Sequence, residues 1–578
     1  MYPRSVSPSG VSQSVQRFRI VTFAVAVLVL AVATATTAHA QTYSALYEFG
    51  GKTGDPANPQ YSGIIAQGRD GNLYSTAPAT PIGGLCSFCG AVFKMTPSGT
   101  LTVVYDFNDT AGSGYTPFGG LMLGTDGNFY GTTKVGGTHN QGTVFKITAG
   151  GTLTKLYDFG ACKYPCVDGV YPNAPPVQGT DGNFYGTTPY TTNGTASGVV
   201  YKLTSAGKFT ILHAFNYATA GTGYFPNDPL IQGTDGNFYG TTTLGGKNLG
   251  SACVVASASN TCGTVFKMTS AGKVTFIYEF DKTHGAGPIG PVIQGTDGNF
   301  YGTTSEGGTS GFGVVFKLTS AGVLTVLHDF NGTDGKTPDA GLVQANDGNF
   351  YGVASAGGTL GYGTIFKVTS TGTFKVLYNF ENTHGATPEV TLFQHTNGIL
   401  YGDTYSGGSH GWGVFYSLNI GAAEFARLQT TSGKVGSTVS ILGQGFTGTT
   451  KVSFAGGSAK FTVVSDTYLT AVVPASGTTG FVTVTTPSGT LTSSKQFKVI
   501  PGITSFTPTS GPVGTKVTIT GSGFLGATKV TFGGVKATSY TVNSGTQITA
   551  TVPTGAKTGN IAVTTPGGTA SKGTFTVS

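Results

Sequence analysis

The chain has 578 residues, of which 94 are Gly, and only 10% are charged. Globular domains usually carry about 7% Gly and roughly 25% charge, so an ordinary cytosolic enzyme is excluded. A hydrophobic content of 38%, with 38 Phe and 27 Tyr, excludes disorder, and the abundance of Gly, Thr and Ser excludes a helical bundle.

The first forty residues differ from the rest. Arg4, Arg17 and Arg19 form a basic start without an acid, and Ile20 to Ala35 is an apolar run of 16 residues. Ala38-His39-Ala40 fits a small-x-small cleavage site, which predicts a signal peptide over 1–40 and a mature chain from Gln41. The run is short of the roughly 20 residues of a membrane helix, and no second run follows, so no span is expected in the mature chain. A secreted protein follows, extracellular or at the cell surface, with the periplasm as the alternative. Removing three Arg lowers the formal charge from +7 to +4 without a Lys/Arg cluster, which argues against a nucleic-acid partner.

Six cysteines fall into local pairs: Cys86/Cys89, Cys162/Cys166 and Cys253/Cys262. Local disulfides suit an exported chain. No second CxxC completes a zinc site with Cys86 and Cys89, and no βαβ setting supports a redox motif.

TDGNFYGTT occurs four times unchanged, and three weaker copies bring the count to seven. The motif tyrosines are Tyr74, Tyr130, Tyr185, Tyr239, Tyr301, Tyr351 and Tyr401, spaced 50 to 62 residues apart. A VFK-like segment and a Y/H-x-F segment keep step with them. Each repeat predicts four strands, a to d: an apolar run, NFYGTT after a DGN turn, GTVFKLT after a GG loop, and TLTVLYDF after a Ser/Thr-x-Gly turn. Asp-Gly and Asn-Gly favour hairpin turns because positive φ is needed there.

Seven such units predict an all-β fold with a seven-bladed β-propeller over 41–420. The array begins on a lone d-type strand, Thr42 to Phe49, and ends on a c-type strand, Gly413 to Leu418. The N-terminal strand is therefore expected to complete the last blade. The unit DGNFYGTT…GG…GxVFKLT…LxxLYxF resembles the GloVer tandem repeat of bacterial exported proteins. That resemblance brings no established activity and no catalytic residues.

After Asn419 the aromatics thin out, and two segments match at a spacing of about 79 residues: KVGSTVSILGQGF (434–446) and PVGTKVTITGSGF (512–524). Two C-terminal Ig-like β-sandwiches are expected, over 421–499 and 500–578. The second resembles an IPT/TIG immunoglobulin-like domain through ITSFTPTSGPVGTKVTITGSGF and ATVPTGAKTGNIAVTTPGG. In the first, Thr430 stands for Pro508 and Lys434 for Pro512, so its opening strand is the less regular. The resemblance implies a spacer or binding module. DNA-binding relatives need basic loops, whereas Arg427 is the only arginine of the pair.

Asp126, Asp181, Asp235, Asp297 and Asp347 recur in turns and read as scaffold. The VFK lysines are expected to run along blade edges with their heads in water. Gln67, Gln178, Gln232, Gln294, Gln344 and Gln394, with Leu123 in the remaining repeat, either ring a central channel or bond between blades, the second being favoured.

The d–a and b–c loops are expected to share one face and vary in length, which makes them the predicted ligand face. Its candidate binding residues are Tyr115, His139, Tyr164, Tyr171, Tyr224, His284, Phe312, Tyr362, His384, His410 and Trp412. Exposed aromatics with polar neighbours suit an extracellular glycan or protein partner. No catalytic residue, metal ligand or cofactor is assigned; calcium among the loop acids stays open, and a monomer is expected. The reading is a non-catalytic binding or adhesion protein. The alternative is a carbohydrate-active enzyme, a glycosidase or polysaccharide lyase; the loop acids Asp109, Asp168, Asp228, Asp281, Glu306, Asp334, Asp339 and Glu389 show no spacing that marks a pair.

Overall fold

In the computed structural model the described residues are 41–60, 64–80, 89–107, 112–160, 168–191, 197–216, 222–246 and 262–578. The expected signal peptide lies outside them. Their regular structure is strand, apart from a 3-10 turn at Asn382–His384. No helix among them is long and apolar enough to cross a membrane.

Seven four-stranded antiparallel sheets are built from residues 42–419. The sixth shows the plan: Val343–Gln344, Phe350–Ala354, Thr364–Val368 and Phe374–Asn379 lie side by side in chain order. Phe350–Ala354 is buried at every position, so both faces of the strand meet protein. That explains Phe, Tyr and small residues in one unbroken run, and why so little charge is needed. In the seventh sheet, Thr42–Glu48 supplies the fourth strand, with Thr42 opposite Asn419 and Glu48 opposite Val414.

Aromatic stacking joins each sheet to the next. The strand b tyrosine of one repeat lies on the strand b Phe of the following one: Tyr74 on Phe129 at 4.1 Å, Tyr185 on Phe238 at 4.0 Å, Tyr301 on Phe350 at 3.9 Å. Where the next repeat carries Leu400 or Leu73 instead, packing is aliphatic. One cluster joins Tyr401 and Phe415 of the seventh sheet to Leu73, Phe93 and Met95 of the first.

The turns are built from within. Asp181 Oδ1 accepts from the Asn183 N–H, and Oδ2 accepts from Asn183 Nδ2 and the Tyr185 hydroxyl at 2.7 and 2.8 Å. Gly182 adopts φ +81° between them. Burial pushes Asp181 up, but the bonds from Asn183, Tyr185 and Lys202 outweigh it and bring its pKa to about 2. The lysines correct the expectation of heads free in water. Lys202, Lys267, Lys317 and Lys367 reach the turn aspartates of their own sheets at 2.8 to 3.9 Å. An acceptor already ordered by Asn and Tyr costs little to pair, so these stems fold back over the tyrosine rings.

The glutamines bond between sheets. Gln232 Oε1 accepts from the Thr180 N–H of the preceding turn at 2.9 Å, while Nε2 donates to Gly236 O of its own turn at 3.0 Å. Gln178, Gln294, Gln344 and Gln394 repeat both bonds. Gln67 accepts from the Thr396 N–H of the seventh sheet's turn at 3.2 Å.

The last two units share one topology. In the first, Arg427–Leu428, Thr438–Leu442, Tyr468–Val472 and Phe461–Ser465 form one sheet, and Ser432–Lys434, Gly489–Ile500, Gly480–Thr486, Lys451–Phe454 and Gly457–Ser458 the other. The second repeats this order from Gly502–Thr507 to Gly568–Val577. Equivalent cores form around Phe446, Phe454 and Phe497, and around Phe524, Phe532 and Phe575. The first opening strand has 2 residues and the second 6, in line with the sequence departure at Thr430 and Lys434.

The first of these units docks on the a–b turns. The Arg427 guanidinium donates to Gln394 O and lies 4.5 Å from the Phe393 ring and 5.4 Å from Phe425. Burial lowers its pKa to about 10, so it stays charged. Arg69 Nη2 donates to Gln429 Oε1 at 3.2 Å, and its guanidinium covers the Tyr468 ring at 4.5 Å. Thr467 Oγ1 donates to Arg69 O, Gln444 Nε2 to Thr396 Oγ1, and Lys498 Nζ to Thr234 O, at 2.6 to 2.8 Å. Both arginines beyond residue 40 are thus spent on this junction.

Candidate functional site

The opposite ends of the sheets carry the d–a and b–c loops. The loop entering a sheet bridges the b–c loop of the same sheet: Ala57 to Ala79, Tyr115 to Val135, Val170 to Tyr190, Ala286 to Glu306, Lys336 to Ala356, Ala386 to Ser406. In the fourth sheet Gly223–Tyr224 pairs with Leu244–Gly245. These loops share one face.

A second device locks neighbouring sheets on this face. A residue at positive φ, always followed by Pro, donates its N–H to the carbonyl two positions before the preceding sheet's strand c. Tyr171 reaches Gln141 O at 2.9 Å, Thr337 reaches Phe312 O at 3.0 Å, Thr387 reaches Tyr362 O at 3.0 Å and Asn58 reaches Trp412 O at 3.0 Å. Thr116, Phe225 and Gly287 do the same to Cys89, Ser197 and Cys262. The seven X-Pro steps are visible in the sequence but lie in its least regular stretches, where the eye follows the DGN motif instead.

The acceptors of that ring fall at one register position, and what they carry differs. Phe312, Tyr362 and Trp412 occupy it in the last three sheets, with 37%, 43% and 36% of their surface exposed. The b–c loop tips beneath them are held by strand d: Asp329 accepts from the Thr309 N–H and hydroxyl, Asn379 from the Thr359 N–H and Glu48 from the Ser409 N–H, at 2.7 to 2.9 Å. Trp412 rests on the Gly50 backbone, where an added Cβ would lie 2.4 Å from the indole. Large aromatic surface therefore faces solvent on a fixed frame.

The other predicted residues divide. Tyr115 is half-buried and donates to Asn140 Oδ1 at 3.2 Å, and Tyr224 is half-buried beside Phe225. His139 is exposed. His284, His384 and His410 are exposed and lie 2.8, 2.8 and 3.7 Å from Asp281, Glu381 and Glu48, so each belongs to its own loop rather than to a common centre. Tyr164, Cys86, Cys162, Cys166 and Cys253 lie outside the described residues, while Cys89 and Cys262 are buried. Among the described residues no group of three His, Cys, Asp or Glu could hold a metal ion.

Two acids stand apart. Burial, against the bond from Ser355 and with the help of the Glu306 charge, raises the Asp339 carboxyl to about 6. Ser355 Oγ has acceptors on two sides, Thr337 O at 2.8 Å and Asp339 Oδ2 at 2.9 Å, but one proton to give. Burial raises Glu306 as well, against the pull of Lys282.

The Gloeobacter/Verrucomicrobia repeat matches residues 31–166 and 250–464. The chain belongs to this repeat family. The unmatched stretch between holds two further copies of TDGNFYGTT, so the repeat array is continuous through it. An IPT/TIG domain matches residues 501–577. No curated protein matches the sequence. Among solved structures, a fungal alcohol oxidase of the AA5 family in complex with copper is 13% identical, covers 80% of this chain and 99% of its own, and has a TM-score of 0.44. SGBP-B from a xyloglucan utilization locus in Bacteroides uniformis is 21% identical over 26% of this chain, with a TM-score of 0.15. The surface glycan-binding protein PbSGBP-B from Prevotella bryantii is 22% identical over 25%, with a TM-score of 0.20. The chain spans 48% and 38% of the length of those two proteins.

Proposed function

We propose that this member of the repeat family is an exported binding protein. Its seven sheets act as the blades of a closed propeller, and the loop face presents a surface for a glycan or protein. Residues 421–499 form a second IPT/TIG-like unit, and the local cysteine pairs close as disulfides, a reading supported by the burial of Cys89 and Cys262. The observation that carries the binding role is the placement of Tyr190, Phe312, Leu360, Tyr362 and Trp412, all exposed, in b–c loops of one face. The turn face is spent on docking, which leaves the loop face for ligand. The docked first unit then acts as a rigid adaptor and the last unit as its outward extension.

A glycan array probed with the mature protein tests this. Binding that falls at least about tenfold in Trp412→Ala and Tyr362→Ala, with melting unchanged, supports it. Full binding in both variants rejects the aromatic surface.

The second reading is hydrolytic, and Asp339 with Glu306 favours it. An acid whose pKa is raised towards neutrality beside a second carboxyl group is the pairing that glycoside cleavage uses. Turnover of any polysaccharide, abolished in Asp339→Asn or Glu306→Gln, decides for it.

A further inference from the structure

A cleft of about 450 Å³ opens on the loop face between the second and third sheets. It is lined by Lys134, Gln141, Val170, Tyr171, Tyr190 and Thr191. Gln141 holds the register position that Phe312, Tyr362 and Trp412 hold elsewhere, so the aromatic surface is replaced here by a polar recess.

The walls are rigid. Tyr171 is fixed at φ +59° by its N–H bond to Gln141 O and is followed by Pro172. Tyr190 meets it edge-on, ring centres 6.2 Å apart, and is itself braced on Phe225 at 4.7 Å. Tyr190 keeps 43% of its surface exposed.

Two polar groups are incomplete. Gln141 Oε1 is buried with no hydrogen-bond donor among the described residues. Lys134 lies 4.6 Å from the Phe118 ring, and no carboxylate among the described residues comes within 4.0 Å of its ammonium. Lys134 is half-buried, and that burial lowers its pKa with no carboxylate to raise it again. A buried acceptor and a half-buried cation both cost free energy until a ligand pairs them.

An apolar ligand would leave both groups unpaired. A small inorganic anion would pair Lys134 but leave the tyrosine walls and Gln141 unused. A sugar ring bearing a carboxylate completes all three, and the volume suits one or two such rings. We propose that this cleft binds a uronic-acid residue of an anionic polysaccharide, its ring resting against the wall that Tyr171 and Tyr190 form together, a hydroxyl donating to Gln141 Oε1 and its carboxylate paired with Lys134. This rests on the reading of the loop face as a glycan-binding surface.

Calorimetric titration of the mature protein with trigalacturonate and with its methyl ester provides the test. The acid should bind about tenfold tighter than the ester, and salt should narrow the gap. Lys134→Met should erase the difference, while Gln141→Leu and Tyr190→Ala should weaken both ligands and Val323→Ala, exposed in a c–d turn away from the loop face, neither. Equal binding of acid and ester, or loss that follows Trp412 and spares Lys134 and Tyr190, overturns the cleft and leaves the loop-face reading standing. Binding of other glycans with none of trigalacturonate has the same meaning. Failure of every glycan on the array overturns both. Unchanged melting of the variants shows that lost binding is not lost folding.

Discussion

Arg69 Nη2 donates a hydrogen bond to the Thr125 carbonyl at 2.7 Å, from the first repeat's turn into the second's. At the other junctions a glutamine from the following sheet makes the link. The second sheet carries Leu123 there, which has no amide to offer, and the arginine works from the other side. The same guanidinium also holds Gln429. Arg69→Ala should cost about 2–3 kcal/mol, as bonds to charged groups do, and hydrogen exchange should rise at both 124–128 and 427–430. Arg69→Lys should recover little, because a point charge cannot replace the fork.

Asp403 is fully buried with neither carboxyl oxygen bonded among the described residues, and burial raises its pKa well above the carboxylate range. Most of the other sheets carry Thr at this position, and Thr187 and Thr303 donate across to Asp228 O and Ala340 O at 2.9 and 2.8 Å. Asp403→Thr should stabilise the protein by about 1–3 kcal/mol. The native carboxyl keeps its proton when folded and loses it near pH 4 when unfolded, so wild-type stability falls as pH rises above about 4. The gain from the substitution should therefore grow with pH, which denaturant melts across the range would read.

His395 behaves oppositely. It is buried, its Nε2–H donates to Gly71 O at 2.9 Å, and Nδ1 accepts from the Asn397 N–H at 3.2 Å. Burial, with the Arg427 charge, lowers its pKa to about 4. The unfolded chain binds the proton at about 6.5, so stability should drop as pH falls from there to about 4, by up to on the order of 3 kcal/mol, and level off below. His395→Gln should flatten that part of the profile.

Gly363 and Gly361 separate two roles of glycine within one loop. At Gly363, φ is +102° and an added Cβ would lie 2.5 Å from Ala354 O and 2.6 Å from Pro388 Cδ of the next loop. At Gly361, φ is +85° with nothing within 4 Å. Gly361→Ala should cost about 1 kcal/mol from backbone strain alone, and Gly363→Ala clearly more, since a proline of the neighbouring sheet must move. Thermal melts of the two variants compare them directly.

Strand order, the DGN turns and the pairing of Thr42 with the last repeat were all legible, because they rest on local turn chemistry and on counting repeats. The glutamine bonds were legible as one of two alternatives, since a buried amide needs partners. The docking of 421–499 was not: Arg69 and Arg427 are ordinary as letters, and only the tertiary contact gives each an aromatic ring and a carbonyl. The cleft escaped for a similar reason. Lys134 and Gln141 are common residues, and what marks them is the partner each lacks. Of the predicted aromatics, Phe312, Tyr362 and Trp412 share a register that their spacing of 50 residues already displayed.

The pairing of Thr42 with Asn419 also sets an order of events. Strand Thr42–Glu48 finds its partner only after more than three hundred intervening residues have been made. Until then the seventh sheet has an open edge, and the first strand is an unpaired ribbon in search of one. Contacts so distant along the chain make for slow, cooperative folding. A chain lacking residues 42–48 should depend on chaperones, and a free peptide of residues 42–48 should bind it by taking the missing strand's place at that edge.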